Sequence, residues 1–204
     1  MMSRPALEQL IDPKHAALMV IDVQNDFCSA EFPAYQAMLP KLERFIAEAR
    51  RAGVRLVYTR AVHSDKTDSA VWVSRYATRP HRQNTCRMGT PGAEIYSSIK
   101  PRPEDVVVDK HRYNAFLGTD LELILRAQRI DSLLFTGIAT NVCVENAARE
   151  AFQRDFWTVM VSDCMAAHSE AAHNAALTNA ERGFGPVVTS EQVAKAWQSL
   201  TVPA

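Results

Sequence analysis

Ala16-Ala17-Leu18-Met19-Val20-Ile21-Asp22-Val23 is the stretch on which the fold turns: an unbroken apolar run, rich in strand formers, with a carboxylate near its end. A strand with one wet face alternates polar and apolar residues, whereas one covered on both faces does not. Residues 16–23 therefore read as a buried strand of a parallel sheet, with Asp22 at its carboxyl end. Outward from it, Leu42, Phe45, Ile46 and Ala49 recur at helical spacing before Gly53, predicting a helix over about 40–52 with a glycine stop. VRLVYT (54–59), EDVVVDK (104–110), SLLFTG (132–137) and FWTVMVSD (156–163) read as further strands, and PVVT (186–189) as a short one. Thr119 and Glu122 form a capping-box pattern for a helix to about Gln128. Helices are also expected from about Asn141 to Arg154, over 169–181, and over 190–200 with Ser190 as its cap. Strands alternating with helices at this rhythm imply right-handed crossovers and a three-layer α/β/α fold around a mostly parallel sheet. Residues 60–103, rich in Arg, Pro, Ser and Thr, lack periodicity and read as a long excursion of the kind that carries function.

The 204 residues contain no fixed-period repeat, low-complexity tract or Gly/Ser-rich linker, so 1–204 is expected to be one domain. Lysine plus arginine and aspartate plus glutamate number 23 each, a balance that gives no electrostatic case for nucleic acid or an anionic membrane surface. A small-molecule partner is expected instead. The first residues, MMSRPALEQLIDPKH, carry no apolar stretch of signal-peptide length, and no run approaches membrane-spanning length, so a cytoplasmic protein is expected. Cys28, Cys86, Cys143 and Cys164 are widely spaced with no CxxC pair, and in a reducing compartment each is first taken as an inert thiol.

In open parallel sheets ligands bind beyond the carboxyl ends of the strands, where helix N-termini point free N–H groups inward. Asp22 closes the first strand, Lys110 the third, and Cys143 falls in the first turn of the helix after the fourth. Taken singly, the acid is a loop hydrogen-bonder and the lysine a surface charge. Taken together, a thiol at a helix N-terminus near an ammonium is favoured as thiolate, and a neighbouring carboxylate can move its proton. Spacing alone leaves both readings open.

IDVQNDF (21–27), RMGTPGAEI (87–95), VVDKHRYNAF (107–116) and FTGIATNVCVENAAREA (135–151) resemble, in order, the motifs of isochorismatase-like cysteine hydrolases. The resemblance implies a parallel sheet flanked by helices and a catalytic triad of Asp22, Lys110 and Cys143. It also implies a cis peptide bond between Ile138 and Ala139, which would turn the Ala139 N–H to join that of Cys143 in an oxyanion hole. The residues of IATN also allow a simple tight turn, with Thr140 or Asn141 as helix cap. Around Lys110 and the cysteine helix the chain is similar to ureidoacrylate and biuret-type ureide hydrolases. That similarity implies an amidohydrolase acting on a small ureide or carbamoyl amide through a thioester-like intermediate, and a homo-oligomer, dimer or tetramer.

Tyr113 and Asn114 follow Lys110 closely enough to reach the same pocket, with Gln24, Phe27 and Trp72 as further candidates for its wall. The arginines at 60, 75, 79, 82 and 87 are candidates for binding a substrate carboxylate, or else are solvated loop charges. Nicotinamidases carry an Asp-x-His-x-x-His metal site after the second strand. This region reads TRAVHSDKTDSA, where His63 has no second histidine at that spacing, so neither metal nor cofactor is expected. His168 and His173 do not share a helix face and are expected to be surface or capping residues. The competing readings are a nicotinamidase-like amidase, a non-catalytic binding member of the family, and a papain-like thiol enzyme, for which no histidine falls in a matching motif.

Overall fold

A computed structural model describes residues 4–29 and 31–201, with the side chain of residue 201 left aside. Residues 1–3 and 202–204, which the single-domain expectation includes, lie outside this description. Six strands form one parallel sheet: β1 (Ala16–Ile21), β2 (Arg55–Ala61), β3 (Val106–Lys110), β4 (Ser132–Ile138), β5 (Trp157–Ala166) and β6 (Val187–Val188). Their order is β3-β2-β1-β4-β5-β6, so the chain winds outward from β1 to β3 and returns to the other side of β1 with β4. The crevice outside β1 and β4 is the switch point at which such sheets bind ligands. Every residue of β1 and of β4 is buried, the burial that the unbroken apolar run at 16–21 requires.

Alternate residues of β1 feed two cores. Ala16, Leu18 and Val20 pack with α1 (Leu7–Leu10), α2 (Pro33–Arg51) and α7 (Ser190–Thr201). Ala17, Met19 and Ile21 pack on the other face with α4 (Leu121–Ala127), α5 (Glu145–Gln153) and α6 (Glu170–Gly183). Helices thus cover both faces of the sheet.

The structure moves several expected boundaries. The helix expected over 40–52 begins at Pro33, because Tyr35, Met38 and Leu39 extend the apolar stripe and Pro40 points to solvent. A proline there frees only a carbonyl that water can satisfy. Gly53, at φ 79°, ends this helix as expected, with the Val54 N–H donating to the Ala49 carbonyl at 2.9 Å. The Thr119–Glu122 capping box does not form: Thr119 Oγ1 donates to the Ala115 carbonyl, and Glu122 pairs with Arg154 at 2.6 Å. Ser190 is not the cap of α7. Thr189 Oγ1 accepts from the Gln192 N–H at 3.3 Å while Gln192 Oε1 accepts from the Thr189 N–H at 2.8 Å, a capping box one residue earlier. The excursion after β2 contains one short helix, α3 (Ala70–Ser74), and three 3-10 turns. It is anchored by bridges from Ile95 to Gln24 and from Arg87 to His63.

Candidate active site

Asp22 leaves β1 with φ 52°, a left-handed conformation that aspartate tolerates better than most residues. Its carboxylate is held from two sides. Thr59, near the end of the neighbouring β2, donates from Oγ1 to Asp22 Oδ1 at 2.7 Å, and Lys110 Nζ lies 2.6 Å from Oδ2. Lys110 Nζ also donates to the Arg112 carbonyl at 2.9 Å. Both ends of the ion pair are out of solvent, at 0% and 1% exposure, so neither charge is satisfied by water and each depends on the other. Burial opposes the charge on Lys110, but Asp22 and Cys143 outweigh it and hold the ammonium pKa above its ordinary value.

Cys143 reaches this pair from β4. Gly137, at φ 106°, lies opposite Ile21 in the β1–β4 register, and a Cβ on it would stand 2.1 Å from the Ile21 carbonyl oxygen. Only glycine allows the two strand ends to approach this closely. The Ile138–Ala139 peptide bond that follows is cis. The chain then makes a π turn over Thr140–Val144 before α5, so the helix expected from Asn141 opens with a wide turn that carries the cysteine. The Ala139 carbonyl accepts from the N–H groups of Val142 and Val144 at 3.0 and 3.2 Å. Neither Thr140 nor Asn141 caps a helix: Thr140 Oγ1 pairs with His173 Nδ1 at 2.8 Å, and Asn141 lies on the pocket wall.

The Cys143 thiol lies near enough to both Asp22 and Lys110 for each to act on its charge. The half-buried thiol meets opposing influences: desolvation pushes its pKa up to about 12, Asp22 raises it further, and Lys110 lowers it, as the sequence expectation requires of a neighbouring ammonium. The low-dielectric site that brings the three groups together is what disfavours the anion.

A cavity of about 340 Å³ opens over the three residues, with Cys143, Lys110, Ile138 and Ala139 in its lining. Phe27, Trp72 and Tyr113 stand in its wall, and the Trp72 and Tyr113 rings meet at 4.8 Å between centroids. Gln24 and Asn114 do not line it. Gln24 is fully buried, its amide spanning the Ala61 N–H and the Ala61 and Ala93 carbonyls at 2.7 to 2.9 Å, which ties the excursion to β1 and β2. Asn114 Oδ1 accepts from the Phe116 N–H at 2.8 Å and so fixes the turn after β3.

The arginines divide by neighbour. Arg60 forks onto Asp109 at 2.7 and 2.9 Å, and Arg87 pairs with Asp65 and Asp68, so both are spent on structure. Arg75, Arg79 and Arg82 line the cavity. His63 lines it as well, with its pKa lowered to about 4 by burial first and by Arg75 second. Arg75 Nη2 stands 3.4 Å from His63 Nε2. Among the described residues no group of three or more His, Cys, Asp or Glu side chains could hold a metal ion.

Four contributors had no decisive signal in the sequence. Thr59 looked like an ordinary strand residue, and Arg112 was masked by its neighbours Lys110 and Tyr113. Tyr35 and His168 are distant in the chain, yet both line the cavity, and the His168 ring packs on Tyr35 and Phe32 at 5.5 Å each. His168 is at the surface as expected yet also lines the cavity, while His173, expected as a surface or capping residue, is half-buried and pairs with Thr140.

The sequence profile of the Isochorismatase domain matches residues 16–192. The ureidoacrylate amidohydrolase RutB of Methylobacterium radiotolerans is 31% identical, over 95% of this chain and 83% of its own. A cysteine hydrolase from Pseudomonas syringae pv. phaseolicola superposes with a TM-score of 0.84 at 27% identity, covering 97% of this chain and 99% of its own. An N-carbamoylsarcosine amidase from Thermoplasma acidophilum superposes with a TM-score of 0.74 at 26% identity, over 87% of this chain and 97% of its own.

Proposed function

The chain belongs to the isochorismatase family, and on that premise we propose that it is an amidohydrolase of small ureides or carbamoyl amides that uses Cys143 as its nucleophile. The observation that carries the reading is the Asp22–Lys110 pair, 2.6 Å apart, acting on the charge of Cys143, with Lys110 and Cys143 in the wall of a cavity of about 340 Å³. The relatives named as a ureidoacrylate amidohydrolase and an N-carbamoylsarcosine amidase support the bond type, a carbon–nitrogen bond outside peptides.

In this mechanism Asp22 takes the thiol proton as Cys143 Sγ attacks the substrate carbonyl. The resting thiol requires that transfer and attack be coupled, since a free thiolate is disfavoured. Lys110 keeps Asp22 in place and offsets the negative charge that moves through the site. The N–H groups of Ala139 and Cys143 receive the oxyanion, in a site dry enough for such donors to count. Asp22 then delivers its proton to the leaving nitrogen, and the C–N bond breaks to leave a thioester-like enzyme. Water attacks this intermediate, gives its proton to Asp22, and the returning thiol regains it. Thr59 acts through Asp22 as a positioning residue. We further propose that residues 1–204 are one cytoplasmic hydrolase domain, from the continuous α/β pattern and the lack of an apolar leader or spanning run, and homo-oligomeric, from resemblance to the family.

The test is kcat/KM for ureidoacrylate, N-carbamoyl amino acids, biuret and nicotinamide, with Cys143→Ser beside the parent. Hydrolysis of the ureido compounds, lost in the serine variant, is expected. Activity within a few fold of the parent in Cys143→Ser would remove the nucleophile. A clear preference for nicotinamide would overturn the substrate class and leave the three residues in their roles.

A further inference from the structure

Five basic side chains line the cavity, namely Lys110, Arg75, Arg79, Arg82 and Arg112, and no aspartate or glutamate does. Lys110 is neutralised by Asp22. None of the four arginines makes an ion pair among the described residues, whereas Arg60 and Arg87, which do not line the cavity, are both fully paired with acids. The excursion's acids are thus spent on Arg60 and Arg87, and no carboxylate is left to balance the arginines that face the pocket.

Arg112 donates to the Thr67 and His111 carbonyls, whereas Arg75 is held between two rings. Its guanidinium carbon lies 3.5 Å from the Trp72 ring centroid and 4.1 Å from that of Tyr76. Nη1 donates to the Trp72 carbonyl at 2.7 Å and Nη2 to Tyr76 Oη at 2.5 Å. These contacts fix the plane of the group but leave part of its five-donor fork unclaimed. Arg112 approaches the same indole, its guanidinium carbon 4.7 Å from the Trp72 centroid. Two like charges therefore share one ring in a half-buried cleft, and burial works against the charge on Arg75. A bound anion with planar, two-oxygen geometry relieves both penalties and matches the fork.

We propose that this arginine wall receives a carboxylate on the substrate, with Arg75 as the residue that selects it. The inference rests on the amidohydrolase reading and narrows it, from ureides in general to small ureido or carbamoyl acids, and away from neutral compounds such as biuret and nicotinamide.

Two measurements test it. The first compares kcat/KM for 3-ureidopropionate and its methyl ester, which share the scissile group and differ in charge. The parent is expected to favour the acid by at least about 30-fold, the ratio that ~2 kcal/mol of charge-paired binding represents. Arg75→Met is expected to erase that preference chiefly through KM, with the ester confirming that the variant is folded and competent. Equal losses on acid and ester, or no preference in the parent, would overturn the selection.

The second measurement needs no substrate. Iodoacetate and iodoacetamide both alkylate a cysteine by displacement of iodide, and peptide mass spectrometry reads the rate at Cys143 separately from Cys28, Cys86 and Cys164. The iodoacetate-to-iodoacetamide rate ratio at Cys143 is expected to exceed that of free cysteine by about tenfold, and to fall towards it in both Arg75→Met and Arg82→Met. A ratio equal to that of free cysteine in the parent refutes the anion wall. If the parent hydrolyses neither ureide while the alkylation ratio is raised, the amidohydrolase reading has failed and the anion site stands.

Discussion

Replacing Lys110 by methionine removes a charge while keeping an unbranched side chain of similar length. In the parent, Lys110 and Asp22 are 0% and 1% exposed and 2.6 Å apart. The substitution therefore leaves a carboxylate out of water with the Thr59 hydroxyl as its remaining side-chain donor. Breaking a buried pair in this way costs about 3–5 kcal/mol, a large share of the roughly 5–15 kcal/mol that stabilises a folded protein. At about 2–4 °C per kcal/mol for a chain of this size, the melting temperature should fall by roughly 6–20 °C. Hydrolysis should fall by roughly 10⁴–10⁶-fold, the scale of losing one member of a triad that acts as a unit. The informative comparison is the double variant Asp22→Asn/Lys110→Met, which removes both charges. It should regain much of the lost stability and remain inactive, because the destabilising group is the orphaned carboxylate. Thermal and urea unfolding read stability, and ureide hydrolysis reads function. A double variant less stable than Lys110→Met, or a single variant within 1 kcal/mol of the parent, would show that the pair is not the coupled buried unit described above.

Two further outcomes follow from single residues. Gly137→Ala should destabilise by at least about 3 kcal/mol or prevent folding, because the new Cβ would meet the Ile21 backbone at 2.1 Å in a conformation, φ 106°, that alanine avoids; a urea midpoint unchanged from the parent would disprove the close approach. The His63 ring titrates near 4 when folded against 6.5 ordinarily, so below pH 6.5 the unfolded chain binds a proton that the folded one refuses. Stability should therefore be full above pH 6.5 and decline by up to about 3 kcal/mol as the pH falls to 4. His63→Gln should flatten that part of the profile, and an acid slope identical to the parent's in urea titrations would count against the burial of the ring.

The unbroken run from Ala16 to Ile21 was enough to specify a doubly covered parallel strand, because a strand buried on both faces admits no polar alternation. Asp22, Lys110 and Cys143 were legible too, since a parallel sheet collects its strand ends on one edge whatever the details of packing. The spacing of residues along the chain does not, however, specify which partner a side chain finds. Gln24 and Asn114 sit beside the reactive residues in sequence but are turned onto backbone groups, where a buried amide must satisfy its own donors and acceptors. The arginines at 60, 75, 79, 82 and 87 looked alike, and only the folded positions of Asp65, Asp68, Asp109 and Glu94 separate the paired from the unpaired. The state of Cys143 is the clearest case. A helix terminus and a nearby lysine argue for a thiolate, but desolvation and Asp22, neither of which has a signature in local spacing, push the pKa the other way.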